Sequence, residues 1–294
     1  MRPCVVYKRR RMRWRIIRFS TIMKVLVVFA LVLTTACAGL LPVQEPISSS
    51  DLSEGRITNG NKASAGQFPY VVGLSFSNYY GTWWCGGSII SNEWVLTTAE
   101  CTWSVIGVAS KVTIYYGSNV RGTGKVTHTV DSSNIIRHET YSVFYKVNNI
   151  ALIKTPWVSF TTDIQKVGLP VMSSAYSSYA GEWATACGWG KTKDSASDYS
   201  KNLMYATFEV ISVAECQKVW SEIVASSRVI CVRTTSKTSI CQGDGGGPLV
   251  LGGKYLIGVS AFVSEKGCQA NQPAGFVRVT SYLDWIKEKS GVYY

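Results

Sequence analysis

Two histidines and one glycine-rich loop bound the chemistry open to this 294-residue chain. His128 lies in Lys-Val-Thr-His-Thr-Val and His138 in Ile-Arg-His-Glu-Thr, and proton shuttling through an imidazole at neutral pH has only these two to draw on. The nine cysteines form no Cys/His cluster with metal-ligand spacing, so no metal and no cofactor are expected. The loop is Cys241-Gln-Gly-Asp-Gly-Gly-Gly-Pro248. Three other strings stand beside apolar runs: Arg56-Ile57-Thr-Asn-Gly60, Trp94-Val-Leu-Thr-Thr-Ala-Glu-Cys101 and Asn148-Asn149-Ile-Ala-Leu-Ile153. Hydroxyl-based acyl transfer needs a nucleophile, an imidazole to move its proton and a buried carboxylate to orient the imidazole. None of these strings supplies a serine, a histidine and an aspartate in those roles.

The strings together resemble the chymotrypsin/trypsin-like serine protease family, over Ile57 to the chain end. Cys241–Pro248 is similar to that family's Cys-x-Gly-Asp-Ser-Gly-Gly-Pro nucleophile loop, with Gly245 where the serine belongs. Glu100 stands in the histidine position of an Ala-Ala-His-Cys segment, and Asn149 in the aspartate position of Asn-Asp-Ile-Ala-Leu. Cys187-Gly-Trp-Gly190 and the C-terminal helix also match. Phe68–Phe76 and Phe276–Trp285 look most like the insect Jonah-type digestive proteases.

The resemblance implies an all-β fold of two six-stranded antiparallel β-barrels, about 57–165 and 166–294, with a short C-terminal helix. It implies a cleft between them with the substituted positions Glu100, Asn149 and Gly245. Gly243 and Gly245 can still offer backbone N–H groups as an oxyanion hole. Arg56 would be the activation cleavage site, and Asp244 would pair with the new α-ammonium of Ile57, unless Asp244 is only a residue that has not drifted. Ser239 falls at the pocket floor, with Val263 and Ala274 near positions often occupied by glycine, giving a shallow apolar pocket. The family pattern pairs Cys85 with Cys101, Cys216 with Cys231 and Cys241 with Cys268, and leaves Cys187 over, either as a small buried residue or as the site of an intermolecular disulfide. Such bridges belong to an oxidising, extracellular compartment.

The elements that must position these residues read as short β-runs broken by Gly, Ser and Asn from Ile57 onward. Trp83–Thr98 reads as a hairpin, Val112–Tyr116 alternates, and Trp183–Trp189, Leu203–Val210 and Tyr255–Val263 continue the series. Ser212-Val-Ala-Glu215 is a capping box that opens a short helix to about Trp220. Ser281 opens a second helix, with Tyr282, Leu283, Trp285 and Ile286 on its apolar face.

The formal charge of +12 is concentrated at the front. Residues 1–38 read as a basic lead followed by a secretory signal over Met23–Ala38, with Met23 an alternative start. An uncleaved signal anchor is the rival reading of the same apolar run. Residues 39–56 read as a flexible pro-segment. Residues 57–294 carry 20 basic and 15 acidic residues with no dense basic block, which argues against nucleic-acid binding. The expectation is a secreted, monomeric serine-protease homologue without a stable membrane anchor. It is proteolytically inactive and binds peptides, inhibitors or other proteases. The alternative is a serine endopeptidase of apolar specificity, as the family resemblance alone would imply.

Overall fold

The computed structural model describes residues 57–293. The basic lead, signal and pro-segment, including Arg56, lie outside the described residues.

Two antiparallel sheets carry the fold. The N-terminal sheet contains β2 (Val71–Asn78), β3 (Gly81–Ser91), β4 (Trp94–Thr97), β7 (Lys111–Tyr116), β8 (Val126–Asp131), β9 (Ile135–Arg137) and β10 (Ala151–Lys154), in the order β8-β7-β2-β3-β4-β10-β9. A separate two-stranded ribbon pairs β5 (Trp103–Ser104) with β6 (Gly107–Val108). Strand alternation sets the inner face: in β7, Val112, Ile114 and Tyr116 are buried while Lys111 is exposed. They meet Leu74, Phe76, Ile89, Val95 and Ile153 in one core.

The C-terminal sheet contains β11 (Trp183–Gly188), β12 (Met204–Ile211), β13 (Val229–Val232), β14 (Pro248–Leu251), β15 (Tyr255–Phe262) and β16 (Ala274–Arg278). They run β12-β11-β14-β15-β16-β13, and β13 pairs back onto β12, closing a six-stranded barrel. The short β1 (Asn61–Lys62) adds to the outside of β12. Ala186, Phe208, Val210, Ile230, Leu249 and Phe276 fill the interior.

The expectation of two six-stranded barrels is therefore corrected. One barrel is closed; the N-terminal sheet has seven strands and is open, since no ladder among the described residues joins its edges β8 and β9. The chain leaves β8 through a one-turn 3-10 helix, Ser132–Asn134, and enters a three-residue β9 that pairs only with β10. Alternation in sequence tells which residues face inward, but it does not tell whether two edges meet.

A third core cluster joins both sheets. Leu96, Ile150 and Leu152 of the N-terminal half meet Trp189, Val250 and Leu256 of the C-terminal half and Ile286 of the last helix. That helix, α2 (Leu283–Ser290), follows a 3-10 turn over Val279–Tyr282 and ends on Gly291 in the left-handed conformation. Its start is thus at Leu283, not Ser281. The first helix, α1 (Val213–Cys216), is a single turn, with the Ser212 hydroxyl accepting from the Glu215 amide at 3.1 Å. No helix among the described residues is long and apolar enough to cross a membrane.

Candidate active-site cleft

Glu100 opens a 3-10 turn (Glu100–Thr102) just after β4. The Cys85–Cys101 disulfide ties this turn to β3, and the indole N–H of Trp83 donates to the Cys101 carbonyl at 2.7 Å. The turn is therefore tied to β3 at two points.

Asn149 is buried at the entry to β10 and faces that turn. Its Oδ1 accepts from the Glu100 amide at 2.8 Å, and its Nδ2 donates to Glu100 Oε2 at 3.2 Å. The other carboxylate oxygen, Oε1, lies 3.3 Å from the Lys146 ammonium. Both oxygens of Glu100 are thus engaged. The neighbouring Asn148 sits in the left-handed region, with φ 55°. Its Oδ1 accepts from Arg228 at 2.7 Å and from the Tyr282 hydroxyl at 3.1 Å, and its Nδ2 donates to Thr140 Oγ1 at 2.9 Å. The turn that ends in α2 thereby pins the segment that presents Asn149.

Gly245 lies in the loop between β13 and β14, anchored by the Cys241–Cys268 disulfide. A Cβ placed on Gly245 would sit 3.8 Å from Cys101 Sγ and 4.0 Å from Cys85 Sγ, which is ordinary contact, and its φ is not in the left-handed region. The fold leaves room for a side chain that the sequence does not supply. Its neighbour differs: Gly246 has φ 79°, and a Cβ there would collide with Thr97 Oγ1 and the Gly86 carbonyl. The N–H groups of Gly243 and Gly245 make no hydrogen bond among the described residues.

Asp244, between them, is buried. It accepts from the Gly190 amide at 2.6 Å and the Cys241 amide at 2.8 Å. Burial pushes its carboxyl up to about 7, against the pull of these two hydrogen bonds. No cation among the described residues pairs with it. Ile57 is fully buried with φ 34°, and Thr58 docks on Ser239, donating its amide to the Ser239 carbonyl at 3.1 Å.

A cavity of about 360 Å³ opens at this site, and Asn149 and Asp244 are not among its lining residues. Glu100, Lys146, Gly243, Gly245 and Val263 reach it, whereas Ser239 and Ala274 are buried and are not among its lining residues. Ser239 is instead engaged by Thr58, whose Oγ1 accepts from the Ser239 amide at 2.8 Å. Sequence reasoning missed Lys146, Phe262 and Trp83, all of which line the cavity. Lys146 is three residues before Asn149, but its left-handed φ of 51° is what brings it back over Glu100, and no sequence motif announces that. Phe262 follows an irregularity in the β15–β16 pairing at Ser260/Phe262, which turns the strand beside the cleft.

Neither histidine reaches the cavity. His138 stacks on Trp285 at 5.2 Å, and His128 packs edge-on to Tyr116 at 5.4 Å. Burial holds both below the usual imidazole range. Asp194, Cys241 and Cys268 lie close together, but the two cysteines are bonded to each other. Asp194 accepts from the amides of Cys268 at 2.7 Å and Gln269 at 3.1 Å, so the cluster has no thiolate to offer a metal. Cys216–Cys231 is the third disulfide, and Cys187 is a buried free thiol pushed well up by burial and then by Asp244.

The description of the family "Trypsin" matches residues 57–286. Serine protease 1 of Drosophila melanogaster is 47% identical over 242 residues, covering 82% of this chain and 88% of its own. The collagenase of Hypoderma lineatum is 39% identical over 272 residues, covering 92% and 99%. The solved structure of HL collagenase superimposes with a TM-score of 0.73 at 38% identity, covering 80% of this chain and 99% of that one. Together with the cleft geometry, these matches establish that the chain belongs to the trypsin-like serine protease family.

Proposed function

We propose that this family member is a non-catalytic serine-protease homologue that binds peptides, inhibitors or other proteases in its cleft. The observation that carries the reading is the triad region itself. The nucleophile position, Gly245, has no side chain, although the loop has room for one. At the imidazole position Glu100 is a carboxylate held by Asn149 and Lys146, and there is no hydroxyl at 245 from which it could take a proton. Loss of the nucleophile alone lowers turnover by about 10⁶, and further triad losses add little to that. What supports binding is the retained machinery: two free backbone N–H donors and a cavity of about 360 Å³ with the apolar walls Phe262 and Val263.

The wider biology is part of the same proposal. The protein is secreted with a signal over Met23–Ala38, loses residues 39–56 by cleavage after Arg56, and acts as a monomer built of residues 57–294, of the insect Jonah type. Val263, with Phe262 and Ala261, sets the apolar character of the pocket.

The second reading is an active endopeptidase, favoured by relatives that bear the name serine protease. The test is incubation of the Arg56-cleaved protein with a fluorophosphonate probe and an apolar chromogenic peptide. No labelling and no turnover are expected. Labelling at any residue would establish the second reading instead.

A further inference from the structure

We infer that the cleft selects peptides ending in a free α-carboxylate, the products of proteolysis, over uncut chains; this rests on the peptide-binding reading above. Three observations concern one cavity. The N–H groups of Gly243 and Gly245 are unpartnered, and both residues line the cavity. A Cβ at Gly245 would sit in ordinary contact, 3.8 Å and 4.0 Å from the Cys101 and Cys85 sulfurs, so the position has room for a side-chain atom that the sequence does not supply. Lys146 lines the same cavity and holds its ammonium 3.3 Å from Glu100.

A peptide carbonyl offers two N–H donors a single neutral oxygen. A terminal carboxylate offers two oxygens and a full charge, and hydrogen bonds to an ionised acceptor are about twice as strong as neutral ones. Paired backbone N–H groups are a recurrent way to capture a chain terminus. A hydroxymethyl group on Gly245 would project into the space the second oxygen needs. Glu100 would repel an arriving anion if it stood alone. Lys146 cancels that charge and is the one cation among the residues lining this cavity. The apolar lining residues Ile240, Ala261 and Val263 suit an aliphatic terminal side chain.

The test is fluorescence-polarisation or calorimetric binding of an acetylated tetrapeptide ending in leucine to the full chain at pH 7. The free acid, its C-terminal amide and a longer peptide with the same sequence internal are compared. The acid is expected to bind about ten-fold more tightly than the other two, as charge-assisted hydrogen bonding requires. Gly245→Ser and Lys146→Gln should narrow that ratio and Glu100→Gln should widen it, with thermal melts verifying that each variant is folded. Equal affinity for acid, amide and internal sequence would overturn the selection while leaving a peptide-binding cleft. If none of the three binds, the peptide-binding reading falls with it. Hydrolysis of the longer peptide would overturn the non-catalytic reading alone. Glu100→Gln adds no atoms, so it decides the charge argument even if Gly245→Ser fails to fold.

Discussion

Glu100 and Asn149 hold each other through a reciprocal pair of hydrogen bonds, amide to Oδ1 at 2.8 Å and Nδ2 to Oε2 at 3.2 Å. The pair is complementary only because Asn149 is a carboxamide, which both donates and accepts. Asn149→Leu should therefore cost about 1–3 kcal/mol, the range for stranding partly buried polar groups. Asn149→Asp should destabilise for a different reason, by setting a second carboxylate against Glu100. One of the two carboxyls then has a raised folded-state pKa, so the penalty should be present at pH 7 and relieved toward pH 4. Melting curves at the two pH values separate the variants: the leucine loss stays and the aspartate loss fades.

Rebuilding the triad should restore turnover only when all three positions change. Gly245→Ser alone supplies a hydroxyl with no imidazole to take its proton, and Glu100→His with Asn149→Asp supplies that base with no nucleophile. The triple variant, cleaved after Arg56, should hydrolyse an apolar chromogenic peptide at least about 10³-fold faster than any partial combination, since triad members act as a unit. A steady-state assay of the single, double and triple variants decides this.

The sequence made much of this site legible, because the loop from Cys241 to Pro248 and the segments around Glu100 and Asn149 are contiguous strings whose spacing survives substitution. The strands were legible for a similar reason: alternation in β7 and the Trp83–Thr98 hairpin are local patterns. Lys146 was not legible. Its position over Glu100 depends on left-handed backbone at Lys146 and Asn148, with φ 51° and 55°, which single residue types do not signal. The open N-terminal sheet was missed because edge closure depends on how β8 and β9 are placed in space, not on the residues within either strand. The cavity lining was misjudged at Ser239, whose docking on Thr58 joins residues 181 apart in sequence.

Asp244 should give the uncleaved chain a distinctive pH dependence. Its folded-state carboxyl is raised to about 7, mainly by burial. The folded protein therefore holds a proton that the unfolded chain has already lost above about pH 4. The sign follows from linkage: stability is highest below that pH and falls as pH rises toward 7. Asp244→Asn removes the titration, so the stability of the parent relative to this variant should decline between pH 4 and pH 7. Urea denaturation across that range measures it. In the chain cut after Arg56, an α-ammonium on Ile57 paired with Asp244 should abolish or reverse the trend.

Gly245 and Gly246 should respond unequally to the same substitution. Gly246 has φ 79°, and a Cβ there would collide with Thr97 Oγ1 and the Gly86 carbonyl. The second of these is backbone and cannot rotate aside. Gly246→Ala should cost about 2–4 kcal/mol, combining the left-handed penalty with the displacement of β3. In a domain of this size, each kcal/mol lowers the melting temperature by about 2–4 °C. Gly245→Ala meets only the two sulfurs at ordinary contact distance and should change stability by no more than about 0.5 kcal/mol. Differential scanning calorimetry of the two variants tests the contrast. A glycine that the backbone does not require at 245, beside one that it does require at 246, shows that the absence of a side chain at 245 is not a demand of the fold.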